Sequence, residues 1–181
     1  LTVVLLLPGT DTLPLLDRDE PRFATATREM LDKGDFVIPW FNGGYRFDKP
    51  PLIYWMMMPG YALAGDSEGT ARLPAVFSSV MAALAIFGFG RRLFSARSGF
   101  LAALGFLTCL QVQIHGRLSL ADPPMVAALV LSQWAGWNLL RPGHGESPRA
   151  RWFWILWLSL SLGFLAKGPI GPLVFGLTLV F

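Results

Sequence analysis

The chain has 181 residues, of which 53% are hydrophobic and only 15% are charged. Soluble domains carry about a quarter charged residues, so this composition excludes an ordinary soluble protein and, with a mean hydropathy of +0.48, predicts a membrane protein. The net charge is +3, but the basic residues are scattered between apolar stretches and form no continuous face, which argues against nucleic acid as a partner. Cys109 is the only cysteine, which excludes an internal disulfide bond.

Apolar runs stand at both ends of the sequence. The chain begins on the apolar residues 1–7 without an initiating methionine and stops at residue 181 inside another apolar run. We interpret residues 1–7 as the end of an earlier membrane span. We therefore expect the sequence to be the N-terminal part of a longer protein.

A long polar segment, residues 8–72, follows and contains two predicted helices. Residues 20–32 carry apolar side chains at helical spacing. These side chains are Phe23, Ala26 or Thr27, Met30 and Leu31. Residues 52–64 are apolar and aromatic but too short to cross a bilayer, which needs about 20 residues. We interpret this second helix as lying at the interface between membrane lipid and water, where tyrosine and tryptophan are favoured.

Two carboxylates, Asp19 and Glu20, open the first of these helices, and Arg22 follows closely. An acid at a helix start can satisfy free backbone N–H groups and favour the helix dipole. A carboxylate beside the membrane surface can also act as a general base that deprotonates an acceptor hydroxyl, and a nearby arginine can bind a phosphate through two hydrogen bonds. The residues alone leave capping and catalysis both open.

Asp48 and Lys49 stand directly before Pro50 and Pro51, at the start of the second helix. They can form an ion-paired turn, because the two prolines fix an extended backbone ahead of the helix. The lysine can instead bind a phosphate head group as a compact point charge. A divalent metal ion held by Asp48 and a residue beyond Phe181 is a further hypothesis, and the sequence indicates no other cofactor.

Five further apolar stretches have the composition of membrane spans. They cover residues 73–90, 98–114, 123–140, 152–166 and 168–181, of which the last two are shorter and are separated by Lys167. Together with residues 1–7 they predict an all-α fold. This fold is a polytopic transmembrane helical bundle with a long external loop that carries amphipathic juxtamembrane helices.

The charges of the loops predict the orientation of this bundle. The 91–97 loop contains three arginines and no acid, and the 141–151 loop contains three arginines and one acid. The positive-inside rule places both loops in the cytoplasm. Alternation then places segment 8–72, the 115–122 turn and the Lys167 turn outside, so that the charged candidates share one face of the membrane.

Two more charged residues lie at the ends of predicted spans. Asp122 precedes two prolines at the start of one span, where an acid also suits a helix N-terminus. Lys167 is flanked by apolar residues on both sides. Its ammonium group can extend along the helix to water, or it can mark a substrate path or pair with an acid at membrane depth.

The order of these motifs resembles the bacterial aminoarabinose transferase-like glycosyltransferases, which belong to the protein O-mannosyltransferase superfamily of type-C glycosyltransferases. Seven motifs match in register, although any one of them is weak. They are Asp19-Glu20 with Arg22-Phe23, Gly34-Asp35-Phe36, Asn42-Gly43, Asp48 to Pro51, Ala71 to Pro74, Asp122, and Ala166 to Pro169.

The resemblance implies an inner-membrane enzyme that transfers a sugar from a polyprenyl-phosphate donor to a cell-envelope acceptor on the external face. The acceptor is a lipid A-like glycolipid or a protein, and the reaction is an inverting displacement at the anomeric carbon. The implied catalytic residues are Asp19, Glu20 and Asp122. The implied ligands of the donor phosphate are Arg22, Lys49 and Lys167.

Three residues depart from the family pattern. Phe23 and Arg46 stand where the family has tyrosine, and Asp48 stands where it has glutamate. The shorter Asp48 weakens the metal hypothesis, and together the departures predict a branch whose sugar or acceptor differs from aminoarabinose and lipid A. Two other classes stay open: a transporter or flippase for a lipid-linked or sugar substrate, and a non-catalytic membrane scaffold.

Overall fold

The computed structural model describes residues 2–16, 18–141 and 150–180. Its regular structure is helical apart from one two-stranded hairpin, in agreement with the predicted all-α class. The helices are α1 (Thr2–Leu6), α2 (Glu20–Lys33), α3 (Leu52–Ala64), α4 (Glu68–Leu93), α5 (Ala96–Thr108), α6 (Leu110–His115), α7 (Asp122–Leu140), α8 (Ala150–Lys167) and α9 (Ile170–Val180). The strands are β1 (Trp40–Phe41) and β2 (Gly44–Tyr45). Most of the predicted cytoplasmic loop 141–151 lies outside the described residues.

The first predicted helix forms as α2 and is one residue longer than the predicted range 20–32. Pro21 occupies the first turn, where its missing N–H removes no helical hydrogen bond. Gly34 follows the last turn with a φ of 66°, a left-handed conformation that glycine adopts without strain. Phe23 and Met30 on the inner face of α2 are buried in a cluster shared with α3.

The β-hairpin between α2 and α3 is an addition to the predicted elements. Asn42 and Gly43 form its turn with φ values of 52° and 78°, the positive values that a two-residue hairpin turn requires. The Glu29 carboxylate of α2 accepts hydrogen bonds from both of their N–H groups, at 2.7 and 3.4 Å. The hairpin is therefore fixed to α2, and the Arg46 N–H closes its base by donating to the Pro39 carbonyl at 2.7 Å.

The second predicted helix forms as α3 with the predicted bounds. Pro59 lies inside the helix without ending it. Ile53, Tyr54 and Met57 are fully buried and pack against the inner face of α2. This contact places the start of α3, which follows Asp48 and Lys49, beside the first turns of α2.

Helix α4 covers the predicted span 73–90 and extends beyond it at both ends. It begins with a capping box, in which the Ser67 hydroxyl accepts from the Thr70 N–H at 3.2 Å and the Ser67 N–H donates to the Thr70 hydroxyl at 2.9 Å. Within the described residues, α4 is the one helix that is both long and apolar enough to cross a membrane. Helices α3, α5 and α9 are apolar but shorter.

The predicted continuous span 98–114 is wrong in one respect, because it is broken between α5 and α6. Cys109 has an extended backbone, with φ −61° and ψ 129°. The preceding Thr108 hydroxyl donates to the Leu104 carbonyl at 2.9 Å. The Gln113 side chain then donates to the Leu107 carbonyl near the end of α5.

Helices α7, α8 and α9 pack together, and α7 also packs against α4. The turn predicted at Lys167 is present, because α8 ends there and Gly168 has a φ of 72°. Gly163 and Gly171 allow α8 and α9 to approach closely, since a Cβ built on Gly171 would lie 3.4 Å from the Gly163 Cα atom. The turn therefore folds α9 back onto α8.

Replacing Gly99 by alanine is expected to destabilise the contact between α4 and α5. A Cβ at this position would lie 2.5 Å from the Phe87 carbonyl oxygen and 2.7 Å from the backbone nitrogen of Arg91, so the helix backbones must separate. Such overpacking costs about 1–3 kcal/mol and should lower the thermal midpoint of the full-length protein in detergent. Gly105→Ala is the control, because a Cβ added at Gly105 would meet nothing within 4 Å; equal midpoints for both variants would contradict the expectation.

Candidate active site

The candidate residues all lie at or just before helix starts and ends. Asp19 precedes α2, Asp48 and Lys49 precede α3, Asp122 begins α7, and Lys167 ends α8. Their side chains fall into separate contact groups. These groups differ in whether the charged atoms are already engaged by the protein or remain available to a ligand.

Asp19 occupies the position that caps α2 but does not cap it. Its backbone is already helical, with φ −87° and ψ −30°, and its side chain makes no capping hydrogen bond. The side chain is 37% exposed, and its partner is Arg22, whose Nη1 lies 3.9 Å from the Asp19 Oδ1 atom. The capping interpretation therefore does not account for Asp19, and its carboxylate is accessible to a ligand.

Glu20, the neighbouring residue, is fully buried. Its Oε1 atom accepts from the Arg72 Nε at 2.9 Å and from the Ser119 N–H at 2.7 Å. Its Oε2 atom accepts from the Arg72 Nη2 at 3.0 Å and from the Leu16 N–H at 3.1 Å. Both oxygens of Glu20 thus accept hydrogen bonds from the protein itself.

Arg72 is a central structural residue that the sequence analysis did not single out for function. It is 2% exposed, and all five of its donor hydrogens have acceptors. Beyond Glu20, Nη1 donates to the Thr10 and Leu13 carbonyls at 2.7 and 2.8 Å, and Nη2 donates to the Pro14 carbonyl at 2.9 Å. Arg72 therefore holds the chain that leads into Asp19 against α4. Its position in the Ala71–Pro74 motif was the one sequence feature that could have indicated its importance.

Acid is expected to destabilise the protein through Glu20. Burial alone raises the pKa of this carboxyl, but hydrogen bonds from Arg72, Ser119 and Leu16 outweigh burial and hold the pKa below its ordinary 4.5. A lowered pKa contributes stability that is complete above the unfolded value and is lost as pH falls through the folded value. The thermal midpoint should therefore drop as pH falls below 4.5. Glu20→Gln should have a lower thermal midpoint at neutral pH and a weaker dependence of the midpoint on pH. If the midpoints of wild type and variant change equally with pH, the loss of stability in acid does not come from Glu20.

A second group surrounds the Tyr54 hydroxyl, between α2 and α3. The Arg46 Nε donates to this hydroxyl at 3.1 Å, and the Arg46 Nη2 donates to the Asp48 Oδ2 at 2.9 Å. Burial is the main cause that raises the pKa of Tyr54, Arg46 opposes the rise, and the charges of Asp48 and Asp19 add to it. Asp19 and Asp48 therefore act electrostatically on the same hydroxyl.

Lys49 stands beside this group and is half-buried. It makes no hydrogen bond or ion pair with any residue in the described part of the chain. It lines a cavity of about 320 Å³. The other lining residues are Val37, Ile38, Pro39, Arg46, Phe47, Asp48, Pro50 and Pro51.

In the described residues, the partner of the Asp48 carboxylate is an arginine cation. The Asp48 carboxylate already accepts a hydrogen bond from the Arg46 guanidinium, and a second cation beside that guanidinium would be repelled. Among residues 2–16, 18–141 and 150–180, no three His, Cys, Asp or Glu side chains group together as metal ligands would. No step of the proposed reaction is therefore assigned to a metal.

Asp122 and Lys167 form an ion pair between the start of α7 and the end of α8. Both side chains remain partly exposed, at 37% and 27%. Asp122 also lines a cavity of about 180 Å³ with Ser79 and His115. The pair explains how Lys167 is accommodated among apolar residues. Because Ser119 bonds to Glu20, the chain that leads into Asp122 lies beside the start of α2.

Comparison with known proteins gives consistent matches along the chain. Residues 48–181 match the family described as dolichyl-phosphate-mannose-protein mannosyltransferase. The chain is 34% identical to an undecaprenyl phosphate-alpha-4-amino-4-deoxy-L-arabinose arabinosyl transferase of Edwardsiella ictaluri, over 83% of the chain and 27% of that protein. It is 31% identical to an uncharacterized protein of Aquifex aeolicus, over 94% of the chain and 38% of that protein.

The fold is similar to a solved structure, the crystal structure of ArnT from Cupriavidus metallidurans bound to undecaprenyl phosphate. The TM-score is 0.92 at 27% sequence identity, and the match covers 99% of this chain and 33% of that one. The chain thus spans between about a quarter and two fifths of the length of the proteins it matches.

Proposed function

Because the chain belongs to the dolichyl-phosphate-mannose-protein mannosyltransferase family, we propose that the full-length protein is a membrane glycosyltransferase. It transfers a sugar from a polyprenyl-phosphate donor, of the undecaprenyl type, to a cell-envelope acceptor. The acceptor is a lipid A-like glycolipid or a protein. The observation that carries the proposal is the carboxylate of Asp19 at the start of α2, which is 37% exposed and makes no capping hydrogen bond.

The proposed reaction is a single displacement at the anomeric carbon. The acceptor oxygen forms the new bond to that carbon as the bond from carbon to the bridging phosphate oxygen breaks, and the electron pair leaves with the polyprenyl phosphate. For a hydroxyl acceptor, Asp19 takes the proton as general base. For a phosphate acceptor, which is already ionised near neutral pH, Asp19 orients the acceptor or balances charge.

The remaining candidate residues support this step in different ways. Lys49, which has no ion pair with any described residue, offers its positive charge to the leaving phosphate, and Arg22 lies next to Asp19 at the same helix start. Asp122 is proposed as a second carboxylate of the site, with Lys167 as its counter-charge and a further phosphate ligand. Glu20 contributes by fixing the start of α2 through Arg72, which places Asp19.

We further propose that the helices form a polytopic bundle in the bacterial inner membrane, with the active face on the periplasmic side. Arg91 and Arg92 lie in the last turn of α4, at the end remote from Glu20 and the Arg72 network, and the positive-inside rule assigns that end to the cytoplasm. In a cysteine-free full-length protein, cysteines placed at Asp35 and at Arg97 should react with a membrane-impermeant thiol reagent from opposite sides. Labelling of both from one side would contradict the topology.

The proposed activity is tested with the full-length protein in lipid nanodiscs. We expect it to release polyprenyl phosphate from one member of a panel of undecaprenyl-phosphate sugars, only when a lipid A-like or protein acceptor is present. The productive donor and acceptor then define the substrates. If donors bind but none is turned over, and proteoliposomes instead move them across the bilayer, the transporter alternative replaces the transferase.

A further inference from the structure

The three residues that depart from the family pattern meet in one contact group. The Arg46 guanidinium lies 5.6 Å from the ring centroid of Phe23 and 5.4 Å from that of Phe41, and its Nη2 atom bonds to Asp48 at 2.9 Å. These residues come from α2, from β1 and from the segment before α3. The three departures therefore lie in one contact group centred on Arg46.

Arg46 is held rigidly on one edge. Nε bonds to the Tyr54 hydroxyl, Nη2 bonds to Asp48, and the rings of Phe23 and Phe41 lie within cation–π range. The residue is only 8% exposed. An arginine fixed in this way loses little further conformational freedom when it binds a ligand.

The other edge of Arg46 remains available. Nη1 has no hydrogen-bond partner among the described residues, and it is not among the polar atoms sealed from solvent without a partner. Arg46 lines the same 320 Å³ cavity as Lys49, and Lys49 is also unengaged within the described chain. The Asp48 carboxylate is neutralised by its contact with Arg46, so the cavity keeps a net positive charge.

We propose that Arg46 is a ligand of the donor phosphate that acts together with Lys49, and that Asp48 anchors Arg46 instead of holding a metal ion. This inference rests on the proposed function, because it assigns the phosphate of the polyprenyl donor to the cavity. A guanidinium that retains free donors beside an ammonium group provides two charge-assisted contacts to one phosphate. In this proposal the Arg46 guanidinium supplies the positive charge beside Asp48 that a divalent ion would otherwise supply.

The test measures binding of undecaprenyl phosphate and of undecaprenol, its alcohol, to the full-length protein in nanodiscs. Arg46→Gln is expected to weaken binding of the phosphate about tenfold or more, since it removes a charge-assisted contact, and to leave binding of the alcohol unchanged. Arg46→Lys should fall between wild type and Arg46→Gln. The control is Arg28→Gln, because Arg28 pairs with Asp66 on the exposed side of α2; it should bind both lipids as wild type does.

A second variant keeps the test decisive if Arg46→Gln folds poorly. Asp48 is 54% exposed, so Asp48→Asn should fold. It removes a negative charge from the cavity but also the anchor of Arg46, and we expect the lost positioning of Arg46 to outweigh the charge and weaken phosphate binding. In the Arg46→Gln background the same change should have no further weakening effect. A chelator should leave binding of undecaprenyl phosphate to wild type unchanged.

Three results would overturn the inference, and they are distinguishable. Equal weakening of phosphate and alcohol binding in Arg46→Gln would assign Arg46 a structural role only, with the transferase proposal intact. Loss of phosphate binding on chelation, with recovery on adding a divalent metal, would restore Asp48 as a metal ligand. A wild-type protein with no preference for the phosphate over the alcohol would overturn both the inference and the proposed donor.

Discussion

Replacing Asp19 by asparagine is expected to lower the turnover of the full-length protein by about a hundredfold or more, because a positioned general base contributes about 10²–10⁴-fold to rate. The thermal midpoint should remain close to that of wild type. Asp19 makes no capping hydrogen bond, and its ion pair with Arg22 spans 3.9 Å. An amide of the same size therefore removes the base while removing little structural support.

Asp32→Asn is the matched control for this substitution. Asp32 lies on the exposed side of the same helix, so neutralising it removes an equal charge from α2 without touching the site. Its turnover should stay near that of wild type. If Asp19→Asn and wild type turn over equally at equal yields of folded protein, Asp19 is not the base.

Replacing Arg72 by methionine is expected to lower the free energy of unfolding by about 3–5 kcal/mol, the usual cost of removing one partner from a buried ion pair. The change leaves the fully buried Glu20 carboxylate without its counter-charge. It also leaves the carbonyls of Thr10, Leu13 and Pro14 without their donor. Thermal unfolding of the full-length protein in detergent, followed by tryptophan fluorescence, measures the loss.

A double-mutant cycle separates the ion pair from general loss of packing. Adding Glu20→Leu to Arg72→Met removes the stranded charge, so the double variant should lose less stability than the sum of the two single variants. Arg28→Gln is the surface control, because its exposed pair with Asp66 should contribute about 1 kcal/mol or less. Additive losses in the cycle, or equal losses for Arg72→Met and Arg28→Gln, would contradict the proposed role of the buried pair.

Local sequence pattern predicted the two helices of the polar segment closely. Helix α3 has the predicted bounds and α2 differs by one residue, because apolar spacing, a proline in the first turn and a terminal glycine act within a few residues. The break between α5 and α6 escaped this reasoning. Hydropathy describes residues 98–114 as continuous, whereas the backbone is extended at Cys109 and separates α5 from α6.

The sequence does not show that Glu20 is buried whereas Asp19 is partly exposed. The two acids are neighbours, but the turn of α2 directs Glu20 inward to Arg72, a residue 52 positions away, and leaves Asp19 at the surface. The pairing of Asp122 with Lys167 likewise depends on how α7 packs against α8. These contacts form only in the tertiary structure. In the sequence, the order of the motifs was the one indication that the residues belong to a common site.

The role of Arg46 also depends on tertiary contacts that the sequence does not show. As a sequence feature it is a departure from a family pattern, and by itself it carries no chemistry. Its role follows from its contacts with Tyr54 of α3 and with Asp48 of the segment before α3. A change that weakens a resemblance in sequence can thus be part of a binding site in three dimensions.

Glycosyl transfer at the anomeric carbon can be distinguished from attack at phosphorus with an isotope-labelled donor. An undecaprenyl-phosphate sugar carries ¹⁸O in the atom that bridges the anomeric carbon and the phosphorus, and the products of the full-length protein are analysed by mass spectrometry. We expect the label to leave with undecaprenyl phosphate and the sugar to join the acceptor with inverted configuration. Label retained on the transferred sugar, which shows cleavage at phosphorus, would contradict it.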